Sequence, residues 1–473
     1  MYFIKKIKEI FPIMKLFKEY LNEISGLRYI FENLNLSTIG RKFLLNQEMF
    51  SSQQQQIENN NKFIALSQTN TTFKENIIFK IQNYISKIND IHTTIINLNN
   101  GQILDDIELF EIKKFAINSQ NVLKLIKNEK LSELIQINNI QEVIIILNPE
   151  DLVVDSFYIF SKYDKELTKL RNEENKYYDK DKSKALEIHQ KCFEIEDKIR
   201  INICKQLSQY IEKIKQNFEA LQDLDVLIAK YSIINKINFS RNFVIPTISS
   251  QKITYLENFW NPFFAFLLNK DGKKYQPIDI QIDNEPILIT GANMSGKTVI
   301  LKTVTLLQVL YQFGFLIPAT TAFFQTYDEI ITIIGDKQSE NSGLSSFASE
   351  MKAIDEIIKK IKSGKKIFVC IDELARTTNP NEGKAIVAAL LVILKKYNVS
   401  SLITTHYDIK INNIKKLRVK GLNFNNPEKI SIANLNDYMD YSLMETNNNV
   451  PNDALKIAKI LNIDDDFINL IKI

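Results

Sequence analysis

Gly291, four residues, Gly296, Lys297 and Thr298 form the spacing G-x-x-x-x-G-K-[ST], and these residue types at this spacing can hold phosphate. The two glycines let the backbone close tightly. The N–H groups of Ala292, Asn293, Met294, Ser295 and Gly296 can then converge on phosphate oxygens. Lys297 supplies a mobile point charge for β- and γ-phosphates, and the Thr298 hydroxyl suits a Mg²⁺ ion. Flanking residues fit this Walker A reading: Ile287–Thr290 is strand-like, and Val299–Leu310 is an apolar-rich helix whose positive end faces the same anion.

A second cluster lies about 75 residues downstream, where Lys366-Ile-Phe-Val-Cys-Ile-Asp-Glu373 is an apolar strand ending in two acids, the Walker B arrangement. Asp372 is placed to hold Mg²⁺, and Glu373 to orient or deprotonate an attacking water. Cys370, inside the strand, reads as a small core residue. His406 closes another apolar run, Ser401–His406. A lone histidine is ordinarily structural, but this one ends a strand of the same sheet, where a residue can sense a γ-phosphate. Ser342–Met351 is a small polar loop opening a helix, with Ser345 or Ser346 as its cap. On local pattern it is an ordinary capped helix, with a second phosphate contact as the alternative.

The elements that must position these residues divide the chain. After Pro246 short apolar runs alternate with helical patterns: Ile278–Ile282, Ile287–Thr290, Val299–Phe315, Glu329–Ile334, Ser346–Ile361, Lys366–Ile371, Lys384–Tyr397 and Ser400–Thr404. The expected fold class is therefore α/β, a mostly parallel sheet with helices on both faces, over residues 246–473 with a short helical tail. Residues 1–245 read as an all-α core and lever. Within them, 152–220 is a charged, coiled-coil-like arm with a hairpin near Tyr177–Ser183. Ser51–Asn61, rich in Gln and Asn, reads as a loop or a helix, and Val143–Leu147 as a strand or a buried helix end.

Composition sets limits. Net charge is only +4, so nucleic acid would have to be met by local patches rather than a global field. Three cysteines, Cys192, Cys204 and Cys370, are too few for a disulfide framework or a zinc site, which points to a reducing cytoplasm. The longest apolar run, Ala385–Leu394, is about half of a membrane span, so no membrane partner is expected. Lysines interrupt the apolar positions of the N-terminus, which excludes a signal peptide core.

Together these motifs resemble the MutS family of mismatch-repair ATPases. Thr290-Gly-Ala-Asn-Met-Ser-Gly-Lys-Thr298 resembles T-G-P-N-M-G-G-K-S, and Asn293 and Met294 are typical of that family rather than of phosphate loops at large. Ile371-Asp-Glu-Leu-Ala-Arg-Thr-Thr378 resembles I-D-E-I-G-R-G-T, Thr404–Tyr407 resembles A-T-H-Y, and Ser342–Met351 resembles S-G-x-S-T-F-x-x-E-M. More weakly, Trp260-Asn-Pro262 stands for R-H-P, Asp223–Leu227 for E-L-D-V-L, and Leu36–Leu44 for T-x-M-G-x-R-x-L. The resemblance implies ATP and Mg²⁺ as cofactors and a homodimer, or a heterodimer with a related subunit. It also implies a Tyr275 that stacks on adenine, and Ser342 and Ser345 that complete the partner's site.

Departures from the family pattern narrow the expectation. The chain opens almost directly at the core domain, so the mismatch-reading domain with its F-x-E wedge and the connector are expected to be absent. No nuclease domain is expected after the tail. Ala292, Ala375 and Thr377 replace a proline and two glycines. Two readings follow. One is an ATPase that acts on DNA, mostly through its backbone, without wedge-type mismatch reading. The alternative is a protein-remodelling ATPase, such as a reactivase for a cobalamin-dependent lysine aminomutase, favoured by the absent wedge and by an arm whose lysines are interleaved with acids. A subunit that binds ATP and scarcely turns over is a third, weaker option.

Overall fold

The structure, a computed structural model, describes residues 15–68, 71–127, 129–150, 157–237, 241–292, 295–334, 346–376, 378–411, 413–422, 438–446, 463–464 and 470. Contacts divide the chain into two units. One comprises Met1–Leu34, Asn46–Asn60 and Tyr231–Ile473; the other comprises Asn35–Leu45 and Asn61–Lys230. The unit that holds the Gly291–Thr298 loop therefore also takes in two segments from the first sixty residues. No described helix is long and apolar enough to cross a membrane.

Among the described residues, the first unit carries ten strands: β1 Thr247–Ile248, β2 Thr254–Phe259, β3 Ile278–Ile282, β4 Pro286–Thr290, β5 Thr321–Phe324, β6 Glu329–Ile333, β7 Ile367–Ile371, β8 Ser401–Thr404, β9 Lys415–Leu422 and β10 Met439–Glu445. Six form one sheet in the order β10-β9-β4-β8-β7-β6, parallel throughout except for the β10–β9 pair. Every residue of β4, β7 and β8 is buried, as a parallel strand covered on both faces requires. Along β7, Val369 and Ile371 pack with Ile357, Leu390 and Leu391 of the helices Ser346–Lys362 and Pro380–Lys396. Cys370, between them, faces Thr305 of the helix Lys297–Gln312. Successive side chains of a strand point to opposite faces, so helices cover both sides of this sheet.

The remaining strands make a smaller sheet, β1-β5-β2-β3, antiparallel except where β1 meets β5. Sequence reading expected only β3 of these four. β2 and β5 alternate buried and part-exposed positions, which disguises them among polar neighbours.

Described by itself, the second unit is helical. Gln141–Leu147 is a helix, which resolves Val143–Leu147 in favour of the helix end. Gln53–Gln68 is likewise helical. The arm is a hairpin of Lys165–Tyr177 and Lys182–Leu207, each capped by an aspartate, Asp164 and Asp181. Leu167, Ala185, Ile188 and Cys192 are buried along it, and the pairs Arg171–Glu196 at 2.7 Å and His189–Glu174 at 2.8 Å bridge its two helices. Near the end of the helix Ile211–Ser232, buried Asp225 accepts hydrogen bonds from the Ser37 N–H at 2.9 Å and the Ser37 hydroxyl at 2.7 Å. A Cβ on Gly40 would lie 2.0 Å from the same carboxylate, so only glycine fits there. The Leu36–Leu44 and Asp223–Leu227 motifs thus meet face to face.

Candidate functional site

At the C-terminal end of β4 the chain turns through Gly291 and enters the helix Lys297–Gln312. Gly296 caps that helix at φ +86°, a left-handed conformation that glycine adopts without strain. A Cβ on Gly291 would lie 2.7 Å from Ser295 Oγ, and one on Gly296 would lie 3.0 Å from the ring of Tyr441. The Ser295 hydroxyl is buried and has no hydrogen-bond partner among the described residues. Lys297 is buried, and its ammonium donates to the carbonyls of Gly291 and Ala292, both at 2.9 Å. Burial lowers its pKa, while Glu373 and Asp372 pull it back up. The loop thus holds a cation against its own carbonyls, where an anion can claim it.

Parallel pairing of β4 with β8 and of β8 with β7 brings the ends of three strands together. The Thr298 hydroxyl is 2.7 Å from Asp372 Oδ2. Thr404, the last residue of β8, donates its hydroxyl to Asp372 Oδ1 and accepts the Glu373 N–H at 2.9 Å. The Glu373 carboxylate is held at both oxygens: His406 Nε2 lies 2.6 Å from Oε1, and Arg376 Nη1 lies 3.1 Å from Oε2. Thr298, Asp372, Glu373 and His406 thus converge on one crevice at the carboxyl ends of parallel strands, the usual place for a ligand in such a sheet.

A hydroxyl beside a carboxylate suits a hard divalent cation such as Mg²⁺, which takes one or two protein ligands and leaves the rest to water and phosphate. Among the described residues, no cluster of three His, Cys, Asp or Glu could hold a metal by protein ligands alone.

Two residues of the loop after Asp372 stand at positive φ although neither is glycine, Glu373 at +50° and Ala375 at +59°. Left-handed backbone costs an L-residue on the order of 1 kcal/mol, so neighbours must hold it. Glu350, on the helix Ser346–Lys362, accepts the Ala375 N–H at 2.9 Å, and the Tyr407 hydroxyl donates to the Ala375 carbonyl at 2.7 Å. Tyr407 in turn presses on the helix Pro380–Lys396: a Cβ on Gly383 would lie 2.4 Å from its hydroxyl.

Tyr275 has partners of its own, Thr303, Asn261 and Arg241. Burial raises its pKa, and the Thr303 hydroxyl, the Asn261 backbone and Arg241 oppose the shift. Its carbonyl accepts from Arg241 at 2.6 Å, and that guanidinium also covers Trp260. Asn293, Met294, Ser342 and Ser345 lie outside the described residues.

Several contributors carried no sequence signal of their own. Thr404 hides as one polar residue in a buried run. Tyr441, on β10, is wedged against Gly296, and Gln276 fixes that strand by accepting the Tyr441 N–H at 3.0 Å and donating to Asp440 at 2.9 Å. Arg376 was legible only as a residue kept in a motif. A cleft of about 870 Å³ opens in the helical unit beside Phe43, His92 and Leu134, and none of the residues singled out for chemistry lines it.

Comparison with known proteins bears on the same region. Residues 287–469 match the family model of MutS domain V. The chain is similar to Endonuclease MutS2 of Caldicellulosiruptor saccharolyticus, 35% identical over 238 residues, or 46% of this chain and 29% of that protein. Endonuclease MutS2 of Ligilactobacillus salivarius is 35% identical over 214 residues, covering 45% and 26%. That of Fusobacterium nucleatum is 34% identical over 232 residues, covering 46% and 28%. The match therefore spans less than a third of each of these relatives.

Proposed function

Since this chain belongs to the MutS family, we propose that it is a Mg²⁺-dependent ATPase of that family acting on DNA. The observation that carries the catalytic part is the hydrogen-bonded chain Thr298–Asp372–Thr404–Glu373, closed by His406.

In this reading the Lys297 ammonium exchanges the Gly291 and Ala292 carbonyls for the β- and γ-phosphate oxygens of ATP. Gly291, Ala292, Asn293, Met294, Ser295 and Gly296 wrap the phosphates with backbone N–H groups. Thr298 and Asp372 would hold Mg²⁺, which would supply positive charge against the phosphates. Glu373, the base, takes the proton of the attacking water as that oxygen bonds to the γ-phosphorus, while the bond from that phosphorus to the β–γ bridging oxygen breaks and ADP leaves beside inorganic phosphate. His406 aims the carboxylate and stands ready to meet the γ-phosphate. Tyr275 takes the adenine only if its ring leaves Arg241. In the dimer, Ser342 and Ser345 complete the neighbour's site.

Glu373→Gln keeps the shape of the side chain and removes the base. It should bind ATP and trap it, with turnover falling by at least 100-fold, while Lys297→Ala should lose binding. Unchanged turnover in Glu373→Gln would remove Glu373 from the mechanism.

The protein-remodelling alternative has an observation of its own. Arg171, Lys191 and Arg200 on the arm each pair with a carboxylate of this same unit, which leaves them less free for phosphates. A salt titration of duplex and four-way-junction binding separates the readings. Affinity no better than that of an acidic control protein at low salt favours a protein client.

A further inference from the structure

The longer helix of the arm, Lys182–Leu207, has two apolar faces, and the hairpin uses one. Ala185, Ile188 and Cys192 are buried along the seam with Lys165–Tyr177, and Ile203 is buried further along the helix. Leu186, Phe193 and Ile201 are 73%, 55% and 50% exposed. At about 100° per residue these three fall within a sector of about 80°, roughly a third of a turn from the buried seam. Steps of seven and eight residues are those of a helix that packs along another helix.

The order of this face is self-complementary when reversed. Leu186 and Ile201 are near-equidistant from Phe193, so an antiparallel copy sets Leu186 against Ile201 and Phe193 against itself. One flank carries Glu187, Lys191, Glu194 and Lys198, all exposed, with Glu187 and Lys191 also paired along the helix at 2.9 Å. The same reversal brings Glu187 opposite Lys198 and Lys191 opposite Glu194, each an attraction. Duplex DNA has no use for this pattern, because phosphates favour cations and the flank alternates in sign around an apolar stripe.

We propose that this face docks on the same face of a second copy of the chain, the two arm helices running antiparallel about Phe193. Three side chains and four charges set a small contact, below the size of a standard stable interface. Cross-linking is therefore the appropriate readout, and it reports on the arm whether or not the ATPase reading holds.

The three native thiols are buried, so the unmodified full-length chain supplies the background. Exposed sites tolerate cysteine, and Phe193→Cys, Leu186→Cys and Ile201→Cys are compared under mild oxidation. Phe193→Cys should give disulfide dimers at least 5-fold above background. Leu186→Cys and Ile201→Cys should each stay at background alone and cross-link when mixed. Equal cross-linking of all three single variants would mean a parallel pairing and overturn the proposal. Background-level cross-linking everywhere would also overturn it. So would protection of the position-193 thiol from alkylation by duplex DNA without cross-linking, since DNA would then be the occupant.

Discussion

Ala375 occupies a left-handed backbone position where the family motif carries glycine. Moving an alanine into that region costs about 1–2 kcal/mol, while glycine loses about 0.5–1 kcal/mol more backbone entropy on folding. Ala375→Gly should therefore raise stability by about 1 kcal/mol or less, read as a higher urea midpoint at unchanged slope. A lower midpoint would mean that the buried alanine methyl contributes more than the strain costs. Thr404 permits a sharper test, since one hydroxyl donates to Asp372 and accepts from Glu373. Thr404→Val keeps the shape and leaves the Glu373 N–H unpaired. Turnover should fall about 10–100-fold and the Mg²⁺ requirement should rise, with Thr404→Ser recovering most of both. An unchanged Mg²⁺ titration in Thr404→Val would detach Thr404 from Asp372.

At the scale of elements, strand ends place the chemistry, and these were largely readable. Runs such as Ile367–Ile371 are buried over their whole length and announce themselves by being apolar at every position. The residues at their tips, Asp372, Glu373 and His406, were accordingly singled out before any geometry was known. β2, β5, β9 and β10, of which β10 is an edge strand, were not, because half-buried strands mix polar residues with apolar ones and look like loops. What edge strands contribute was lost with them, including Tyr441 against Gly296. Long-range hydrogen bonds were equally invisible: nothing near Glu350 announces that its carboxylate holds the Ala375 N–H. That bond matters because Glu350 belongs to the Ser342–Met351 motif, proposed to act on a neighbouring subunit. Mixing Lys297→Ala and Ser345→Ala subunits should give activity that departs from the average of the two. Simple averaging would count against a composite site.

For the molecule as a whole, stability should depend on pH through the helical unit. Burial pushes Lys230 down to about 7, and Asp223 and Lys62 pull it in opposite directions. In the unfolded chain a lysine keeps its proton up to about pH 10.4. Below pH 7 both states are protonated and the folded state bears the full cost of a buried ammonium. Between pH 7 and about 10 the unfolded chain binds more protons, so stability climbs with pH. Thermal unfolding of the full chain should therefore shift upward from pH 7 to 9, and Lys230→Met should flatten that rise. An identical slope in the variant would assign the dependence elsewhere.

Tyr441 has a consequence in time. The Gly291–Thr298 loop leans on a residue 145 positions after Gly296, and its parent strand β4 lies between β8 and β9, which also come later in the chain. On the ribosome, synthesis at about 5–20 residues per second separates the loop from its supports by on the order of 10–30 s. For that interval the helical unit can already be folding while the loop has no sheet to stand on. A chain stalled before β10 should carry every residue of its phosphate loop and hold nucleotide poorly. Nucleotide capture would then mark the arrival of β10 beside the loop.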